Sequence, residues 1–108
     1  VNAIHPPTQQ EFSGYEIHIG QTQGPDTLRP FAQLNGRNEG AISADGLVMG
    51  SYLHGMFSSD RFRHAFLKGL HIQSSAQAYS QTVDQTLNAL ADHLEKHLDI
   101  SALLASAR

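Results

Sequence analysis

Cysteine is missing from all 108 residues. That excludes disulfides, thiolate metal sites and any cysteine nucleophile supplied by this chain. Positive charge is scarce: seven Lys and Arg are scattered against ten Asp and Glu, for a net charge of −3 with histidine neutral. With no basic stripe to neutralise phosphates, nucleic acid is not an expected partner. Long apolar runs are also lacking. No stretch approaches the roughly 18 residues of a membrane span, and the chain does not open on a signal-peptide pattern. A soluble cytoplasmic protein is the default expectation. At 40% hydrophobic, the chain can bury one small core, as a small domain or as a piece of a larger one.

The elements that are present change period along the chain. Apolar residues open the sequence, and Pro6–Pro7 then remove two backbone donors, so a first strand should end at His5. "GYEIHIG", residues 14–20, alternates, with Tyr15, Ile17 and Ile19 on one face and Glu16 and His18 on the other. Asn35-Gly36 and Asp45-Gly46 are dipeptides suited to tight hairpin turns. Leu47 to Leu53 reads as a nearly continuous apolar strand covered on both faces. Beyond it, Ser58 or Ser59 can cap a helix with Asp60 in its first turn and Phe62, Phe66 and Leu70 along one side. Val83, Leu87, Leu90, Leu94 and Leu98 form the stripe of a longer amphipathic helix, and "DISALLASAR" reads as a weakly capped terminal turn. Strands first and two main helices second predict an α/β or α+β piece. Two helices could hardly cover both faces of a buried sheet, so half of a larger domain is expected.

Seven histidines are the candidates for chemistry. His93 and His97 share a helical face at i, i+4, but "HLEKH" has leucine where the zinc-protease pattern needs glutamate. They read as solvated, and no metal site is expected. His5, His64 and His71 lack a partner at ligand spacing and read as structural or exposed. His54 stands at the end of a strand, before Gly55 and a helix, where catalytic groups of open α/β sheets collect. On spacing alone, a satisfied structural histidine and a catalytic one stand level. For His18, a ring-orienting hydrogen bond to Glu16 is the favoured reading.

"GYEIHIGQT" at 14–22, followed by "ADGLVMGSYLHGMFSSDRFR" at 44–63, resembles the glutamine amidotransferase domain of the cobyric acid synthase family. That family belongs to the cobalamin-pathway branch of the class I, triad-type amidotransferases. The fit runs over 14–22, 45–57 and 60–63, with Leu47 as one residue of slack, and the resemblance extends over about residues 12–98. It implies a partial flavodoxin-like α/β domain, the C-terminal portion of the amidotransferase fold. Residues 1–11 would be an N-terminal strand and linker, 12–57 the strand-rich part with both motifs, and 58–108 the helical part.

The resemblance implies His54 as the catalytic histidine, which takes a proton from a cysteine thiol and delivers one to departing ammonia. It implies His18, Ile19 and Gly20 as substrate-binding residues lining the glutamine pocket. Many class I relatives carry a ring-orienting glutamate two residues after the histidine. Here that residue is Met56, so orientation would fall to Glu16 or a backbone carbonyl. Tyr52 reads as a packing residue. The nucleophilic cysteine lies upstream in this family, so the chain alone is expected to be inactive. The whole enzyme is expected to use glutamine, ATP and magnesium to amidate corrinoid carboxylates, with no cofactor held by this chain. The rival expectation is a non-catalytic binding or regulatory module of the same ancestry. Cut from its neighbours, the sheet would expose apolar surface and strand edges, which predicts a homo-oligomer of this chain.

Overall fold

The computed structural model describes residues 1–75 and 77–107, in two units, Val1–Ala76 and Gln77–Arg108. In the first unit, β1 (Asn2–His5) ends where the two prolines begin. The His5 carbonyl accepts from the amides of Thr8 and Gln9, which turns the chain back into β2 (Gln10–Ser13). Asn35 and Gly36, both at positive φ, make the expected tight turn between β4 (Ala32–Leu34) and β5 (Arg37–Glu39). These four strands form one antiparallel sheet in the order β2-β1-β4-β5.

Alternation sends Ala3, Phe12, Ala32 and Leu34 to one face of that sheet, where Phe31, Leu53 and Phe62 complete the buried core. Helix α1 (Asp60–Gly69) packs against β2 and seals this face with Phe62, whose ring lies 4.6 Å from that of Phe12. Ser59 is the N-cap residue, but its hydroxyl accepts from the Ser13 amide at 3.1 Å instead of capping the helix. Leu70, expected on the inner stripe, is the exposed C-cap residue.

Two expected strands are shorter than their sequences suggest. Leu47 to Leu53 is not one buried strand. It divides into β7 (Met49–Gly50), paired with β6 (Ala41–Ile42), and β8 (Leu53–His54), while Leu47 and Val48 stay 83% and 69% exposed. Side chains capture the backbone donors that a continuous ladder would use. The Asp45 carboxylate accepts from the Leu47 amide, Ser43 Oγ from the Val48 amide and Ser51 Oγ from the Leu53 amide. In "GYEIHIG" only β3 (Tyr15–Glu16) is strand, paired with β8. Beyond Glu16 the His18 ring bonds the Gly20 carbonyl, and Ile19 is fully exposed. His18 therefore lies past the strand, not within it.

The second unit holds α2 (Tyr79–His97) and α3 (Ile100–Ser106). Leu98, the last residue of the expected stripe, is the C-cap of α2. The terminal segment is a capped helix, because Asp99 Oδ1 accepts from the Ala102 amide at 2.9 Å. The chain is α/β in the broad sense, with every strand pairing among the described residues antiparallel.

Candidate functional site

Leu53 is buried in the core, and this fixes where the next residue stands. In the β3–β8 ladder Tyr15 faces His54 and Glu16 faces Leu53. Directly opposed residues share a side of the ladder, so His54 and Tyr15 project from one side and Glu16 from the other. The backbones pass closely here: a Cβ on Gly14 would stand 2.8 Å from the His54 carbonyl oxygen. Gly55, at φ 79°, then turns the chain into a short 3-10 segment, Met56–Ser58. Met56 packs against the core. The His54 imidazole is left exposed at the strand end, and no described residue hydrogen-bonds it.

The second group lies on the Glu16 side. Glu16 accepts two bonds from Arg37, at 2.9 and 2.7 Å, and faces His18 Nε2 at 3.1 Å. Glu16 thus serves the His18 ring rather than the His54 ring. The Gly20 carbonyl meets the other His18 nitrogen, Nδ1, at 2.6 Å. Acceptors at both nitrogens favour the doubly protonated ring. The Gly20 carbonyl first, and then the Glu16 carboxylate, raise the His18 pKa above its usual 6.5. The Arg37 guanidinium first, with His18 second, holds the Glu16 carboxyl below its usual 4.5. Tyr52 stacks on His18 with ring centroids 4.3 Å apart, and its hydroxyl lies 2.6 Å from that of Thr22. Glu16, His18, Thr22, Arg37 and Tyr52 line a cleft of about 690 Å³ together with Glu39 and Ser51.

The structure therefore brings Glu16, His18 and Gly20 together and leaves Ile19 pointing to solvent. His54 is not part of the cleft lining. Arg37, Tyr52 and Glu39 are among the cleft residues that sequence reasoning missed. Arg37 follows the Asn35-Gly36 turn, and the hairpin carries it back to Glu16. Tyr52 lies inside the second motif but forms the cleft wall. Glu39, only 5% exposed, had no local signal.

The other histidines lie elsewhere in the chain. His5 is buried, with Nδ1 2.9 Å from the Thr8 hydroxyl and its ring among Phe31, Phe62 and Phe66. Burial lowers its pKa. His64 lies on α1, and His71 is exposed. His93 and His97 stack 4.2 Å apart, and His97 Nδ1 donates to the His93 carbonyl. Among the described residues no group of three or more His, Asp or Glu is placed to hold a metal. No helix among them is long and apolar enough to cross a membrane.

Comparison with known proteins adds a lineage to this geometry. Residues 1–62 match the family model described as a CobB/CobQ-like glutamine amidotransferase domain. Over 108 residues the chain is 58% identical to a cobyric acid synthase of Bradyrhizobium diazoefficiens, with all of this chain and 22% of the relative covered. Cobyric acid synthases of Rhodobacter capsulatus and Cereibacter sphaeroides are 56% and 58% identical, again over the whole chain and 22% of the relative. The chain thus spans about a fifth of the length of these curated relatives. No solved structure matches it.

Proposed function

The chain belongs to the CobB/CobQ-like glutamine amidotransferase domain family, and from that membership we propose that it is the C-terminal, histidine-bearing portion of a cobyric acid synthase glutaminase domain. The observation that carries this reading is the placement of His54. An imidazole held at a strand end, anchored by buried Leu53 and followed by a sharp turn at Gly55, is open to a nucleophile from another part of the protein. In the proposed reaction His54 takes the proton of a cysteine thiol outside this chain. The thiolate attacks the carboxamide carbon of glutamine, and the C–N bond breaks as the imidazolium returns a proton to nitrogen, releasing ammonia. Water then attacks the thioester, freeing glutamate and restoring the thiol.

His18, Ile19 and Gly20 are the proposed glutamine-binding segment, with Glu16 holding the His18 ring through their 3.1 Å contact. The whole protein would adopt a flavodoxin-like domain here, with residues 1–57 supplying strands and 58–108 helices. Elsewhere in the protein ATP and magnesium would activate the corrinoid carboxylates that the ammonia amidates, in the cytoplasm.

Comparing His54→Ala with the parent full-length protein tests the reading. Glutamine-dependent amidation should fall about 100-fold or more, the scale of a lost general base, while amidation fed by free ammonia continues. Undiminished glutamine-dependent turnover would sink the assignment. The second reading is a non-catalytic binding or regulatory module of the same ancestry. It requires that the full-length parent show no glutaminase activity at all.

A further inference from the structure

Glu39 ends β5 with its side chain in the protein rather than in water, at 5% residual exposure. Burying a carboxylate is costly unless its lone pairs are satisfied. Here they are met by the segment that leads into His54. Glu39 Oε1 accepts from the Tyr52 amide at 2.5 Å, and Oε2 accepts from the Ser51 hydroxyl at 2.8 Å. That hydroxyl oxygen in turn accepts from the Leu53 amide at 3.0 Å. One carboxylate thus ties down three consecutive residues, 51–53, immediately before the imidazole. Charge-assisted bonds of this kind are short and directional, and a fully satisfied buried network fixes one geometry.

The same bonds explain why the ladder is interrupted between Gly50 and Leu53. The Tyr52 and Leu53 amides, which would otherwise be available to a neighbouring strand, are held by Glu39 and Ser51. Close backbone passage makes this possible. At Gly40 a Cβ would stand 2.3 Å from the Gly50 carbonyl oxygen, so the chain passes close to the end of β7 immediately after Glu39. Met56, two residues after His54, packs against the core, and Glu16 is held by Arg37 and His18.

We propose that Glu39 is a positioning residue for the glutaminase reaction, setting the aim of His54 through Ser51, Tyr52 and Leu53 without touching the imidazole. This rests on the reading of His54 as the proton-transfer group. The Tyr52 ring has a second support in the Thr22 hydroxyl. Loss of Glu39 therefore disturbs the direction of His54 more than the wall of the cleft.

In the full-length protein, Glu39→Leu removes both acceptors and Glu39→Gln keeps one amide oxygen for the Tyr52 amide. Expected for Glu39→Leu is a fall in glutamine-dependent kcat of about 10- to 100-fold, the scale of a small misplacement of a reacting group. The KM for glutamine should stay within about twofold and ammonia-fed turnover should be unchanged. Glu39→Gln should recover a large part of kcat. Unchanged glutamine-dependent kcat in Glu39→Leu overturns the proposal, and so does an equal loss of ammonia-fed turnover. Should Glu39→Leu fail to fold, Ser51→Ala decides. Reduced glutamine-dependent kcat with ammonia-fed turnover intact supports the proposal, and wild-type kcat overturns it. His54→Ala, measured in parallel, separates the two ideas. Its indifference removes the catalytic reading itself, whereas inactivity of His54→Ala beside fully active Glu39 variants removes only the role of Glu39.

Discussion

Two acceptors face the His18 ring and none faces the buried Nε2 of His5, so these two imidazoles titrate on opposite sides of 6.5. His18 gains its proton more readily in the folded chain. Its contribution to stability is complete below about pH 6.5 and is lost as pH rises through the raised folded value. His5 is the reverse. Its pKa is depressed by burial, because the charged ring is poorly solvated among the aromatic side chains around it. Its contribution is present above pH 6.5 and is lost as pH falls through that value toward the lower folded one. Histidine ring signals followed by NMR should show His18 with a midpoint above 6.5 and His5 with one below. His5→Leu should remove part of the stability drop on the acid side. Coincident midpoints for the two rings would contradict this account.

At the scale of elements, hairpin geometry carries most of the first unit. Gly40 stands at φ 69° with the Gly50 carbonyl oxygen 2.3 Å, and Phe31 Cβ 2.8 Å, from where a Cβ would be. Gly40→Ala therefore meets backbone strain and overpacking together, and should cost at least about 2 kcal/mol in a denaturant melt of the chain. A melt within error of the parent would mean that Gly40 does not pass the Gly50 carbonyl this closely. The turns that make such passage possible were legible, since Asn35-Gly36 and Asp45-Gly46 name themselves. The lengths of the strands were not. Leu47 to Leu53 has a strand's composition, yet the hydroxyls of Ser43 and Ser51 and the carboxylates of Asp45 and Glu39 hold its amides. A local apolar pattern contains no record of a carboxylate a dozen residues away. The α1 stripe was legible through Phe62 and Phe66, which pack in or against the core. It stopped one turn short of Leu70.

For the whole molecule, the buried apolar core among the described residues is small and confined to the first unit: Ala3, Phe12, Phe31, Ala32, Leu34, Leu53 and Phe62. On α2, Leu87, Leu90 and Leu94 remain substantially exposed, and β2 and β5 are the edges of the main sheet. Exposed apolar stripes and open edges favour association. The isolated 108-residue chain should run larger than a monomer in light scattering, with the mass falling on dilution. A concentration-independent monomer would count against this expectation.

The sequence by itself determined the lineage and the candidate histidine. The two motifs and their separation are linear facts, and a period of two giving way to a helical one follows from side-chain geometry. Only the tertiary structure decided the partners. Glu16 went to His18 and Arg37, Tyr52 became a cleft wall, and Glu39 came to hold the segment before His54. The reason is one of range. Propensity and periodicity act over a few residues, whereas a buried carboxylate is satisfied by whichever donors chain folding delivers to it.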